Sequence, residues 1–373
     1  MKHARLSPSS SSRWLSCTAS VEASEKYENK SNSASVWGTN VHYLGEQLLI
    51  GKTIEVGQEH TEQGVTFIVD DEMLQCAEEY ADYVKSFINK ESIVLVEEQF
   101  DLGFISKGQF GTSDATVLND THLHVMDLKT GHNIVNAENN TQLMLYALGA
   151  IHELEAIYDI DKVTLHIVQT RANHIDTWET SYDKLMTFQT MAKVTAEAII
   201  KGETTFNPSE KACKWCAHQT NCEALKAHVE NTVKGAFENL EDIDGKADLI
   251  DVEHIKKILD NKDLIVSFIK AVEARSLELM QEGTEIEGYK LVESKTNRKW
   301  RDEAEVAKYL NGKIKVNELW VKKLIPMTKI LKLRPKDKKL QEMLIKPEGK
   351  PVIAPLSDKR EPITKVSDEF EEC

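Results

Sequence analysis

The chain has 373 residues, 41% of them apolar, and a formal net charge of −15. That length supports one large domain or two modest ones, and the lack of any run of about 20 apolar residues argues against a membrane-spanning helix. The charge is unevenly placed: Lys290 to Lys350 holds 18 Lys and Arg against 8 Asp and Glu, a local +10 that leaves −25 on the remainder. An acidic body with one basic segment suits phosphate contacts, although a solvated Lys-rich surface gives the same count.

In chain order, Met1-Lys2-His3-Ala4-Arg5 leads into a serine-rich stretch with no apolar signal-peptide core, so a cytosolic location is expected. Six cysteines in that compartment suit metal ligation better than a disulfide framework. Pro8 to Ser35 is Ser/Asn-rich and reads as irregular, yet carries Trp14 and Cys17. Val36 to Ile50 reads as a helix, with Val41, Leu44, Leu48 and Leu49 apolar, and Asp70 to Asn89 as a stronger amphipathic one. Three β-rich runs follow, Ser92–Phe100, Gly108–Leu118 and His122–Leu128, then a helix over Glu138–Ile151. Lys162–Thr170 is another strand and Tyr182–Lys201 another helix.

This order predicts an α/β fold, a mixed central sheet flanked by helices and of nuclease-core size. Beyond a cysteine-bearing segment, Ala247–Gln281 reads as a long helix or helical pair, and Ile286–Val292 with Lys295–Trp300 as a hairpin. A small helical module with Leu310, Leu319, Trp320 and Leu324 comes next, and the Pro-rich, charged stretch from Pro347 is expected to be disordered. The expected organisation is a core over 1–235, a helical and hairpin basic module over 236–345, and a tail over 346–373.

The chemistry concentrates in Gly111-Thr112-Ser113-Asp114 and Val125-Met126-Asp127-Leu128-Lys129-Thr130-Gly131. Residues i and i+2 of a strand share a face, so Asp127 and Lys129 point the same way and a hairpin can bring Asp114 beside them. Two carboxylates with an adjacent ammonium suit a hard divalent cation and a water it activates, as in phosphodiester hydrolysis. Taken alone, Asp-x-Lys at a strand end is also ordinary turn and surface chemistry. His42, four residues after Gly38, is a further candidate ligand, as well as an ordinary helical histidine. Gln142 and Tyr146 share one helix face at i and i+4 and can address one site, or pack as a half-buried pair.

In combination, Gly-x3-His, Gly-Thr-x-Asp, Asp-Leu-Lys-Thr-Gly and Gln-x3-Tyr resemble the RecB-type branch of the PD-(D/E)XK nucleases over roughly residues 36–150. The resemblance implies a restriction-endonuclease-like core with His42, Asp114, Asp127 and Lys129 on catalytic positions. It also places Gln142 and Tyr146 on the following motif, and Mg²⁺ or Mn²⁺ on His42, Asp114, Asp127 and the Leu128 carbonyl. Asp127 stands where Glu is common in that family.

Cys213-x2-Cys216-x5-Cys222, with Cys17 far upstream, fits tetrahedral zinc or an iron–sulfur cluster, and His218 competes as a ligand. The one-plus-three arrangement is similar to that of the AddB subunit and the CRISPR-adaptation RecB-like nucleases. It implies a [4Fe-4S] cluster on Cys17, Cys213, Cys216 and Cys222 that pins the ends of the core together. Cys76 reads as a small core residue and Cys373 as a free tail thiol.

Over its whole length the chain resembles a family of uncharacterised phage and prophage proteins. The residues that carry this likeness are Pro-Ser-Ser-Ser-Ser-Arg-Trp-Leu-Ser-Cys, Asn297-Arg298-Lys299-Trp300 and the tail Lys350-Pro351-Val352 to Asp358-Lys359-Arg360. It implies a DNA recombination or replication setting in the bacterial host cytoplasm, with a phage single-strand-annealing or single-strand-binding protein as partner. Lys295, Arg298, Lys299 and Trp300 combine charge with an aromatic plate that suits a DNA strand, or form a plain hairpin with a charged face. The expectation is therefore a metal-dependent DNA exonuclease, exo- rather than endonuclease by resemblance alone. The alternatives are a non-catalytic DNA-end or fork-binding protein on the same scaffold, and a redox-sensing iron–sulfur protein.

Overall fold

The computed structural model describes residues 4–27, 33–62, 64–234 and 252–289. These belong to the first of two units, Met1–Leu291 and Val292–Cys373. A five-stranded sheet in sequential order forms the centre: β3 (Ile93–Asp101), β4 (Phe110–Asn119), β5 (His122–Leu128), β6 (Lys162–Gln169) and β7 (His174–Thr180), after a separate hairpin of β1 (Glu59–Glu62) and β2 (Val65–Ile68). Only β5 and β6 run parallel; the other neighbours are antiparallel. A parallel pair needs a crossover, and α5 (Thr141–Leu154) supplies it. The expected mixed α/β sheet flanked by helices is the fold observed.

Strand alternation divides the core. Leu123 and Val125 of β5 face α5 and α6 (Tyr182–Lys201), in one cluster with Leu165, Ile167, Leu143 and Leu185. Met126 and Leu128 face the other way, onto α3 (Ser33–Leu49) and α4 (Asp71–Lys85), with Val41, Leu44, Tyr80 and Val84. Asp127 has the parity of Val125 and so lies on the α5 side. Helix α5 is apolar almost all round because it is covered almost all round, with ten of its residues buried. The Asn140 side chain caps it, accepting hydrogen bonds from the amides of Gln142 and Leu143, which fixes the helix start beside the site.

The serine-rich opening, expected to be irregular, is largely helical where it is described. A 3₁₀ turn (Pro8–Ser10) and two six-residue helices, α1 (Ser11–Ser16) and α2 (Ser20–Glu25), make up most of residues 8–25. These are too short to show a periodicity, and serine is a poor helix former. Burial supplies the order: Trp14 is 1% exposed in the main core, and its Nε1 donates to the Ser7 carbonyl at 3.2 Å.

The β1–β2 hairpin and β7 are additions to the expected elements, all short strands that are mostly exposed or half-exposed. After α7 (Glu210–Cys213) and α8 (Glu223–Lys234), a helical pair, α9 (Val252–Asp260) and α10 (Lys262–Gln281), packs back on the cysteine segment. Leu264 and Phe268 join the cluster around Cys17, Cys213 and Cys222. Of the expected hairpin, Ile286 to Tyr289 forms a turn rather than a strand, with the Tyr289 amide donating to the Ile286 carbonyl. Its remainder, the helical module after it and the tail lie outside the described residues. Among the described residues no helix is long and apolar enough to cross a membrane.

Candidate metal centre and cysteine cluster

Two interruptions of regular pairing create the site. The β4–β5 ladder ends at Ala115 and Met126. Just past that point, Oδ2 of Asp114 accepts the Leu128 amide hydrogen at 2.6 Å, so a carboxylate takes the place of a backbone carbonyl. On the other flank, Val96 pairs with Ala115 and Glu98 with Ser113, while Glu97 between them adopts a left-handed φ of 48°. A non-glycine residue held there inside a strand stores strain, which concentrates at functional sites. The distortion takes Glu97 out of the regular pleat opposite Asp114. Helix α3 then adds His42, whose Nδ1 lies 3.3 Å from Asp114 Oδ1. One ligand atom from each of His42, Glu97 and Asp114 falls within 4.8 Å of the others.

On the α5 side, Lys129 Nζ lies 2.7 Å from Asp127 Oδ2, a carboxylate only 1% exposed. The Gln142 amide ties the pair together: its Oε1 accepts from Lys129 at 3.2 Å, and its Nε2 donates to Asp127 Oδ1 and to the Tyr146 hydroxyl, each at 3.0 Å. The i, i+4 spacing of Gln142 and Tyr146 thus serves one network.

Two of the three motif glycines, Gly38 and Gly111, are explained by close approach. A Cβ on Gly38 would lie 2.8 Å from Thr130 Oγ1, so its absence lets α3 reach the Asp-Leu-Lys-Thr segment. A Cβ on Gly111 would meet the Pro8 ring on one side and Tyr146 Cε1 at 2.9 Å on the other.

Electrostatically His42, Asp114 and Lys129 hold one another in charged forms, while burial works against charge on Asp127 and Glu97. Burial disfavours the His42 imidazolium, but the Asp114 carboxylate outweighs it and pushes His42 up to about 9. Burial would likewise raise Asp114, and His42 with Lys129 more than offsets it, leaving Asp114 below the usual range. Burial raises Asp127 despite Lys129. Glu97 rises to about 8, through burial and the nearby Asp114 charge. Lys129 stays firmly protonated because Asp127 and Asp114 overcome its desolvation. Burial first, and Asp127 and Asp114 next, keep the Tyr146 phenol neutral.

These residues suit a hard divalent cation. Three carboxylates and an imidazole are the donor types for Mg²⁺ or Mn²⁺. Oxygen ligands at about 2.1 Å can lie no more than about 4.2 Å apart across one ion, and the His42–Asp114 pair at 3.3 Å falls inside that limit. Asp127 Oδ2 is buried with no aligned hydrogen bond, its Lys129 contact being one of charge alone. Of the expected ligands, His42 and Asp114 come together, Asp127 lies beside Lys129, and Leu128 is tied to Asp114 through its amide. Glu97 was not anticipated, because a left-handed kink in a Val-Glu-Glu-Gln strand has no sequence signature.

The four cysteines also converge. Cys17, Cys213, Cys216 and Cys222 line one small pocket with Phe206, Pro208 and His218. The Asn207 amide donates to Cys17 Sγ at 3.4 Å, and burial pushes the Cys213 thiol up to about 11. His218 Nδ1 is engaged by the Tyr27 hydroxyl at 3.0 Å. Among the described residues no three of these sulfurs lie within 4.8 Å of one another. Cys76 is buried in the α3–α4 core, as expected of a small packing residue. Lys295, Arg298, Lys299, Trp300 and Cys373 lie outside the described residues.

A solved chain described as "Crystal structure of SSO0001" is 17% identical to this one, aligning 41% of this chain with 68% of that chain at a TM-score of 0.27. A likeness at that score bears on no individual residue. Residues 3–361 match the family described as "Protein of unknown function (DUF2800)", and the chain belongs to that family.

Proposed function

We propose that this protein is a divalent-metal-dependent deoxyribonuclease, more specifically an exonuclease, acting in phage DNA recombination or replication. The observation that carries the reading is the convergence of His42, Glu97 and Asp114 ligand atoms within 4.8 Å, next to an Asp127–Lys129 pair clamped by Gln142. Mg²⁺ or Mn²⁺, when bound, supplies charge neutralisation at the phosphate and a more acidic water.

The chain's own residues divide the rest. Asp114, Asp127, Glu97 and His42 hold the cation, with the Leu128 carbonyl as a further donor. Lys129 keeps its proton and points it at the reacting phosphate and water, where it orients the nucleophile and offsets growing negative charge. Gln142 fixes the direction of the ammonium through its own two-sided amide. Tyr146, neutral and bonded to Gln142, positions the strand or the lysine network. Cys17, Cys213, Cys216 and Cys222 hold a [4Fe-4S] cluster as a structural staple.

Purified protein should degrade linear DNA in Mg²⁺ or Mn²⁺, and Asp127→Ala and Lys129→Ala should each fall by about 100-fold or more. Undiminished cleavage by both variants removes the assignment. DNA binding without hydrolysis in any metal would instead identify a non-catalytic DNA-end binder on this scaffold.

A further inference from the structure

We propose that a cleft beside the candidate centre carries a single nucleic-acid strand, with Trp215 stacking on a base and Arg13 and Lys214 contacting phosphates. The inference rests on the nuclease reading and adds the path of its substrate. The cleft has a volume of about 850 Å³ and is walled by the Ser7–Ser10 turn, Arg13, Tyr27 and the Lys214–Trp215 loop.

Its position ties it to the centre twice. Pro8, inside the serine turn, packs against Gly111 and Tyr146, as the tight space around Gly111 shows. Ser11 Oγ lies 2.6 Å from Thr141 Oγ1, next to Gln142 in the chain. The turn that forms the cleft wall therefore also braces the Gln142–Tyr146 face.

The lining has the chemistry of a strand-binding groove. Arg5 is neutralised by Glu25 at 2.6 Å, whereas among the described residues neither Arg13 nor Lys214 pairs with a carboxylate. Two such cations in one cleft stand out on a chain of net charge −15. Arg13 Nη1 donates to the Trp215 carbonyl at 3.1 Å, and its Nε is buried without a partner. Ser9 adds a hydroxyl of the kind that bonds phosphate oxygens, while the Ser10 hydroxyl donates to the Ser7 carbonyl and holds the turn. Trp215 is 75% exposed in the short loop between Cys213 and Cys216. A lone exposed tryptophan is ordinary. This one has its backbone position held by Arg13 and stands next to Lys214, which sets an exposed aromatic plate beside a phosphate contact. A base can stack on such a plate only when it is unpaired, which selects a single strand over a duplex.

The experiment measures fluorescence anisotropy of a labelled single-stranded oligonucleotide, and of a blunt duplex of the same sequence, with the full chain in EDTA. Trp215→Ala and Lys214→Glu should each weaken single-strand binding about tenfold, and Trp215→Phe should stay within about twofold. Duplex affinity should change far less. Circular dichroism identical to wild type excludes misfolding at these exposed positions.

Unchanged single-strand affinity in both variants overturns the proposal, as does an equal loss on duplex. Because the readout needs no cation and no cleavage, it separates the two readings. Intact hydrolysis with unchanged variant affinity removes the cleft alone, whereas an inactive wild type with the predicted affinity losses removes the nuclease and leaves the cleft standing.

Discussion

Gly111→Ala is the sharpest test of how the N-terminal turn is built into the site. The added methyl would sit 2.9 Å from Tyr146 Cε1 and 3.1 Å from Pro8 Cδ, nearer still to Pro8 Cγ. Carbon pairs rest at about 3.5–4.0 Å, so the rings must separate by roughly half an ångström or more. Neither can yield freely. Tyr146 is 6% exposed within α5, and the Pro8 turn is fastened by the Ser10 amide and the Trp14 indole, both donating to the Ser7 carbonyl. Overpacking of this kind costs about 1–3 kcal/mol.

Pro8→Ala removes the crowding atoms and on its own loses about 1 kcal/mol of burial. The double variant should therefore be more stable than the sum of the two singles predicts, by about 1 kcal/mol or more, since the sites touch. Urea unfolding followed by tryptophan fluorescence measures all four proteins. Additive losses would refute the claim that Pro8 is what the glycine makes room for.

Other outcomes follow from the same structure. His166 is lowered to about 3 and His124 to about 4, by burial and then by their histidine neighbours, so both rings are neutral when folded. Their unfolded counterparts take up protons below about 6.5, so the stability they contribute is complete above that pH and is lost on acidification towards 4, at up to about 1.4 kcal/mol per pH unit for each ring. A His124→Gln/His166→Gln protein should show a shallower fall in urea midpoint between pH 6.5 and 4.5, and an unaltered slope would exonerate the rings. Gln142→Leu strips one donor each from Asp127 and Tyr146 and an acceptor from Lys129, and should lower stability by about 1–3 kcal/mol while reducing hydrolysis more than DNA affinity. A drop in affinity alone would contradict its clamp role. Anaerobically purified protein should be brown, and Cys213→Ala should lose the colour; colourless protein with stoichiometric zinc would overturn the cluster but not the hydrolytic reading.

The sheet and its main helices were legible because their signals are local. Residues 122–128 and 182–201 could be bounded from periodicity, and the Gln142/Tyr146 pair from helical spacing. The residue types at the centre were equally plain, since Asp127 and Lys129 must share a strand face. What stayed hidden depends on long-range packing. Nothing in Ser-Ser-Arg-Trp-Leu-Ser announces a helix, because its order comes from a tryptophan sunk into a core made largely of residues more than a hundred positions away. Glu97 was missed for a different reason: its value lies in a backbone torsion. The edge strand β7 places its two apolar residues, Ile175 and Trp178, on opposite faces, shows no apolar–polar alternation, and reads as loop until β6 is known to need a neighbour.

The cysteine set spans almost the whole core in chain order, and that dictates a schedule for biogenesis. On a ribosome making about 5–20 residues per second, Cys222 emerges roughly 10–40 s after Cys17. Until then Trp14 and the sheet can associate, but the thiol quartet is incomplete. On the proposed reading, a cluster on these thiols could be loaded only at the end of synthesis of this region, and nascent chains would until then carry one unguarded sulfur at the front and three at the back.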